Sequence, residues 1–288
     1  MVGMEVEPVT GAIDAPSSVF TLTRSMSDER PLLVEVPHAG LAMPESLRAS
    51  LAVPERALHK DADIYVDALY QHAPSWGATL LVAHYSRYVV DLNRSEDDID
   101  AQTVADHPSP RPAQARGVVW RSTTDGVPCW KQPLTYAQFL DRLARYHRPY
   151  HQTLRAELQR LVDHHGCVVL LAAHSMPSSG RSGHLDQGRR RADVVPGTQG
   201  RTTADARWID MVDAHFRQAG FSVAHDDPYR GGWTTAHYGQ PQHGVHAIQI
   251  ELNRALYVNE ETLEMKPSEF AALQQVLDQL VRTLASHL

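Results

Sequence analysis

Short apolar runs that stop abruptly at a polar or charged side chain are the strongest constraint on how this chain folds. "PLLVEVPH" (31–38), "CVVLLAAHS" (167–175) and "VHAIQIE" (245–251) are each about the length of one strand, and they end in His, His-Ser and Glu. A strand apolar along nearly its whole length needs cover on both faces, as in a sheet whose strands lie parallel between helices. Between and after the runs come stretches with helical spacing: 135–166, bent at Pro149 and closed by Gly166; 202–220, with a Thr cap and a Gly stop; and an amphipathic stretch over 266–287. The alternation predicts an α/β sheet covered on both faces. Ligands of such sheets collect beyond the carboxyl ends of the strands, where this chain places His38, Asn93, Arg94, His174 and Glu251.

The remaining elements are read the same way. "DADIYVDALYQHA" (61–73) predicts a helix capped by Asp61 or Asp63, and "PESLRASLA" a short helix begun by Pro44. "ATLLVAHYSRYVVDLN" (78–93) predicts two strands or one bent pair, and "FSVAH" a further strand. Residues 95–133 and 176–201 read as long irregular loops, which in compact domains are often functional. The expected organisation is an N-terminal arm over 1–17 and one domain over 18–288.

Composition removes several function classes. A net charge of −7 leaves no basic face for nucleic acid. No run approaches the roughly 18 apolar residues of a membrane span, and the N-terminus lacks the pattern of a signal peptide. The 2 cysteines, Cys129 and Cys167, are expected as buried thiols. A cytoplasmic protein acting on a small molecule is therefore expected.

The strand ends suggest the chemistry. Imidazoles from His38 and His174, with one carboxylate from Asp63 or Asp61, make a three-ligand site with an open fourth position, as a hydrolytic zinc requires. Either histidine could instead cap backbone groups. Glu251 could move a proton there, or pair with Arg254. Arg94 presents a fork that matches a carboxylate, or it pairs with Asp91 or Asp97. The segment 226–239 offers paired glycines and Tyr, Thr and His side chains for polar contacts, or forms a solvated hairpin.

The ordered set "VPHAG", "DADIYVDALY", "SRYVVDLNR", "AAHSMPS", "DPYRGGWTTAHYG" and "GVHAIQIELNRALYV" resembles the N-formylglutamate amidohydrolase (deformylase) family of histidine degradation, from about Leu32 to Tyr257. That family is similar in turn to the zinc carboxypeptidases. The resemblance implies a three-layer α/β/α fold with a mixed central sheet. It implies hydrolysis of N-formyl-L-glutamate to formate and L-glutamate, with Zn2+ or another divalent first-row metal on His38 and His174 and with Glu251 as general base; Asp63 is taken as the third ligand by elimination, Asp61 being the alternative carboxylate. Arg87, Asn93, Arg94, Gly232, Thr235, His237 and Tyr238 would bind the substrate. The carboxypeptidases carry a zinc glutamate three residues after the first histidine, where this chain has Leu41.

The chain departs from the family at Ala172, where relatives carry Asp, and at Ala236, where they carry Arg. These departures keep two alternatives in view: the same chemistry on another N-acyl amino acid or small peptide, or a degraded homologue that binds an acidic metabolite. Arg189, Arg190 and Arg191 could supply a substitute positive charge.

Overall fold

A computed structural model describes residues 18–25, 28–112 and 114–288. The expected arm over 1–17 lies outside them. The strands are β1 (Phe20–Thr23), β2 (Leu32–Val36), β3 (Thr79–Ala83), β4 (Val168–Met176), β5 (Val194–Gly197) and β6 (Val245–Asn253). They form one sheet in the order β1-β3-β2-β4-β6-β5. The inner strands β3, β2, β4 and β6 run parallel, and the edge strands β1 and β5 run antiparallel to their neighbours.

The helices are α1 (Glu45–Arg48), α2 (Glu55–His59), α3 (Val66–Leu69), α4 (Tyr136–Arg142), α5 (Arg148–His165), α6 (Ala206–Gln218), α7 (Trp233–Tyr238) and α8 (Pro267–Ser286). Alternation along the strands sorts the core into two layers. Leu32, Val34 and Val36 of β2, with Val169 and Leu171 of β4, pack on α3, α6 and α8 through Leu69, Trp208, Phe216, Leu277 and Leu280. Leu33 and Leu170 face the other way, onto Phe139, Tyr150, Leu154 and Leu158 of α4 and α5. This is the expected mixed sheet between two helical layers. Every residue of β2 and β4 is buried, which is why their sequences are apolar apart from Glu35 of β2 and the His174-Ser175 pair near the end of β4.

Several elements differ from the sequence reading. Residues 84–93 form turns rather than a strand, although Tyr88, Val89 and Val90 are buried. The helix expected over 61–73 shrinks to α3; its N-cap is Tyr65, at φ 65°, and not Asp61 or Asp63. Both aspartates are buried and turned toward other partners. Asp205, not a threonine, precedes α6. The strand expected at 221 is reduced to a bridge between Val194 and Val223. The short edges β1 and β5 were not foreseen. Between α4 and α5 lies a wide turn, Leu143–His147, closed by the Arg148 N–H on the Leu143 carbonyl. Pro149 has no N–H to offer the carbonyl of Arg145, and this loosens the turn where the bend is expected.

The register decides where chemistry can occur. On β4 and β6, His174 lies opposite Glu251. β2 stops two residues short of His38 at the same edge of the sheet. Gly40 then passes directly beneath the end of β3: a Cβ there would sit 2.7 Å from the Ala83 carbonyl oxygen and overlap the His84 carbonyl. Because these neighbours are backbone, they cannot rotate away. Gly40→Ala is expected to lower the free energy of unfolding by about 2 kcal/mol or more in urea titration. An unchanged midpoint would contradict this packing.

Candidate functional site

The buried centre of the strand-end cleft is a carboxylate between two imidazoles. Asp63 Oδ2 lies 3.0 Å from His174 Nδ1 and 3.6 Å from His38 Nδ1. The ring centroids are 4.9 Å apart, and one donor atom from each residue falls within 4.8 Å of the others. β4 supplies His174, and the turn after β2 supplies His38. The segment before α3 supplies Asp63, tied down by its N–H on the His38 carbonyl at 3.0 Å. Burial alone would raise the Asp63 carboxyl, but hydrogen bonding and attraction from His174 and His38 hold it far below the usual carboxylate range. Arg254 Nη2 stands 3.6 Å from its other oxygen, so Arg254 faces Asp63 rather than Glu251.

Asp61 is not a substitute ligand in this arrangement. One oxygen accepts Arg181 Nη1 at 2.6 Å, and the other accepts the Tyr88 hydroxyl and the Thr124 N–H.

Asp91 sets the state of His38. It is fully buried; Oδ1 accepts from His38 Nε2 at 2.8 Å and from the Asn93 N–H at 2.9 Å. Its Oδ2 accepts from Arg87 Nη2 at 2.7 Å and from Trp120 Nε1 at 2.8 Å. With the proton on Nε2, the Nδ1 of a neutral His38 is a bare lone pair. That atom is buried, has no hydrogen-bond partner, and faces the Asp63 carboxylate. A lone pair aimed at an anion is unfavourable. Against burial and Arg87, Asp91 and Asp63 raise the His38 pKa, so the cation that belongs between Nδ1 and Asp63 is a proton or a metal ion. The donor set, two imidazoles and a carboxylate, suits zinc.

Glu251 completes the centre. It is buried on the cavity wall and accepts from Gln249 Nε2 at 2.8 Å. Burial pushes its carboxyl up to about 7, with repulsion from Asp63 adding to the effect and His174, Arg87 and Arg191 opposing it. A carboxylate that gains and loses a proton near neutral pH is suited to proton transfer.

The cavity holds about 570 Å³. Of the residues expected to bind substrate, Arg87, Asn93, Arg94 and Gly232 reach its wall. Arg87 is largely committed: besides Asp91 it donates to the Asp61 carbonyl, and it stacks 4.3 Å from the Trp120 ring. Asn93 is also committed. Its Oδ1 accepts from the Thr234 N–H and hydroxyl, and its Nδ2 donates to Gln249 and lies 3.3 Å from His174 Nε2. A side chain at Gly232 would overlap the Asn93 amide. Arg94 is the more available cation, 38% exposed and only loosely paired with Asp98 at 3.7 Å, while its carbonyl accepts from His147.

Thr235, His237 and Tyr238 do not reach the cavity wall, contrary to the sequence expectation. α7 buries Thr235, stacks the exposed His237 on Trp233, and turns the Tyr238 hydroxyl to His151. Ala236 is exposed on the same helix and does not line the cavity. Ala172 is buried in β4, opposite Glu35. Arg189 pairs with Asp227 at the surface and Arg191 with Asp186, and neither lines the cavity. The sequence reading missed Arg116, Trp120, His184 and Tyr229, all on the wall. Only Tyr229 had a signal, in "DPYRGG"; the others come from segments without periodicity.

The N-formylglutamate amidohydrolase family model matches residues 30–258. An N-formylglutamate deformylase of Pseudomonas aeruginosa is 34% identical over 258 residues, covering 88% of this chain and 92% of that protein. One from Pseudomonas putida is 33% identical over 262 residues with the same coverage. The crystal structure of an N-formylglutamate amidohydrolase from Ralstonia eutropha superposes with a TM-score of 0.87 at 33% identity, covering 94% of this chain and 98% of its own. A gene product from Agrobacterium tumefaciens shares the fold, with a TM-score of 0.65 at 18% identity.

The Asp91 contacts predict the behaviour of Asp91→Asn. The amide must present its NH2 to some of the donors that Asp91 now accepts from, and if it faces His38 the imidazole proton moves to Nδ1. Zinc affinity should fall roughly 10–100-fold in competition with a chromophoric chelator. Equal affinity in the variant would show that Asp91 does not set the imidazole.

Proposed function

The chain belongs to the N-formylglutamate amidohydrolase family, and from that premise we propose that it hydrolyses N-formyl-L-glutamate to formate and L-glutamate, using zinc held by His38, Asp63 and His174. On this reading the reaction is a step of histidine degradation. The observation that carries the reading is Glu251: a carboxyl poised at about 7, opposite His174 and on the same cavity wall as His38 and Asp63. Zinc at that position supplies Lewis acidity, which polarises a carbonyl and makes water a stronger acid.

The protein's own groups do the rest. Glu251 accepts a proton from the attacking water as its oxygen bonds to the formyl carbon. It returns that proton to the amide nitrogen as the C–N bond breaks, so glutamate leaves as the amine and formate remains. Gln249 fixes the Glu251 carboxylate through its Nε2. Arg94 binds a substrate carboxylate, exchanging its loose contact with Asp98 for a charge-assisted pair. Asn93 and Arg87 hold the surrounding wall in place through Thr234, Gln249 and Asp91.

The pH dependence follows from the base role. Glu251 must be ionised to accept the proton, so kcat/KM falls as pH drops through its pKa. A bound cation stabilises the ionised form, which places this acidic limb at or below about 7. Glu251→Gln should reduce kcat for formate release by roughly 10²–10⁴-fold while leaving zinc content unchanged. Activity near wild type in the variant would remove Glu251 from the mechanism.

A further inference from the structure

The cavity wall carries more positive charge than the protein neutralises. Arg87, Arg94 and Arg116 all line it. Asp91 neutralises Arg87, and Asp98 touches Arg94 only at 3.7 Å. Arg116 has no carboxylate within 4.0 Å among the described residues. Asp61 attracts it from farther away but is already paired with Arg181 at 2.6 Å. Burial, followed by repulsion from Arg94 and Arg87, makes the charged form of Arg116 harder to keep than usual. A half-buried guanidinium held without a counter-ion costs stability unless a ligand supplies one.

Its position is nonetheless built. Arg116 Nη2 donates to the Gly183 carbonyl at 2.6 Å, and its guanidinium lies 5.7 Å from the Trp120 ring. Gly183 has no room for a side chain, because a Cβ would overlap the Thr124 carbonyl and sit 3.6 Å from Arg116 Nη1. The seam continues beside it. Arg181 bonds Asp125 and Asp61, and the Ser182 hydroxyl donates to Asp125. Thus two irregular segments, 95–133 and 176–193, lock together beside the cavity and fix one arginine on its wall.

We propose that Arg116 is a specificity-determining residue that binds the side-chain carboxylate of the substrate, while Arg94 binds the carboxylate on the α-carbon. This rests on the deformylase reading above and adds the residue that distinguishes a dicarboxylic from a monocarboxylic N-formyl amino acid. Arg230 also lines the wall without a carboxylate partner among the described residues, but it is exposed to solvent; the two half-buried, under-neutralised arginines, Arg94 and Arg116, match a dianion. A glutamine in place of the substrate's glutamate would leave Arg116 desolvated against a neutral amide.

The test compares formate release from N-formyl-L-glutamate and N-formyl-L-glutamine by the wild type, Arg116→Gln and Arg116→Lys, with glutarate and butyrate binding followed by calorimetry. Arg116→Gln should lose roughly 100-fold in kcat/KM on N-formyl-L-glutamate and gain on N-formyl-L-glutamine, and Arg116→Lys should recover part of the loss. It should also abolish the preference for glutarate over butyrate. An equal loss on both substrates, or a glutarate preference that survives in Arg116→Gln, overturns the assignment. If the wild type cleaves neither substrate yet prefers glutarate through Arg116, the deformylase reading fails and the subsite stands.

Discussion

Asp91 is the contact on which the rest of the site depends. A carboxylate with no solvent exposure is costly to bury, and it survives here because both oxygens are saturated by His38, Arg87, Trp120 and the Asn93 backbone. Burial would raise its pKa, but Arg87 and His38 outweigh this and hold it well below the usual range. The same bonds have three structural effects. They keep a proton on His38 Nε2, hold Arg87 over the Trp120 ring, and anchor the turn that leads to Asn93 and Arg94. The charged stretch after the apolar run at 88–90 is therefore an internal brace and not a solvated cap.

How much of this was legible in the sequence depends on the range of each interaction. β2, β4 and β6 could be read because burial on both faces leaves a largely apolar record, broken at Glu35, His246 and Gln249, and the residues at their ends fell where parallel topology puts ligands. β1 and β5 left no such record. Each has four residues, and β5 contains Pro196, which an edge strand tolerates because one side needs no N–H. Tyr88 to Val90 shows the converse: an apolar run reports burial, not strand geometry. Asp61 and Asp63 look like helix caps locally. Their actual partners, Arg181 and His174, lie 120 and 111 residues away, beyond what a local pattern records. Arg116 is illegible for the same reason, since its environment exists only once two irregular segments meet.

The two parts of the site differ in physical character. The strand ends provide a rigid, buried centre, where low dielectric strengthens each charge interaction and moves Glu251 toward neutrality. The surrounding walls come from loops held by ion pairs such as Arg181 with Asp125 and Arg191 with Asp186. On the proposed reading, such an arrangement keeps the reacting groups fixed while the loops determine which ligand charge is accepted.

The central claim is that a metal held by His38, Asp63 and His174 is required for hydrolysis, and titration of chelator-treated protein with zinc tests it most directly. Formate release from N-formyl-L-glutamate should be absent after chelation, rise in proportion to bound zinc, and stop rising at one equivalent per chain. Full turnover by metal-depleted protein, or a rate that ignores the bound zinc, would contradict the account.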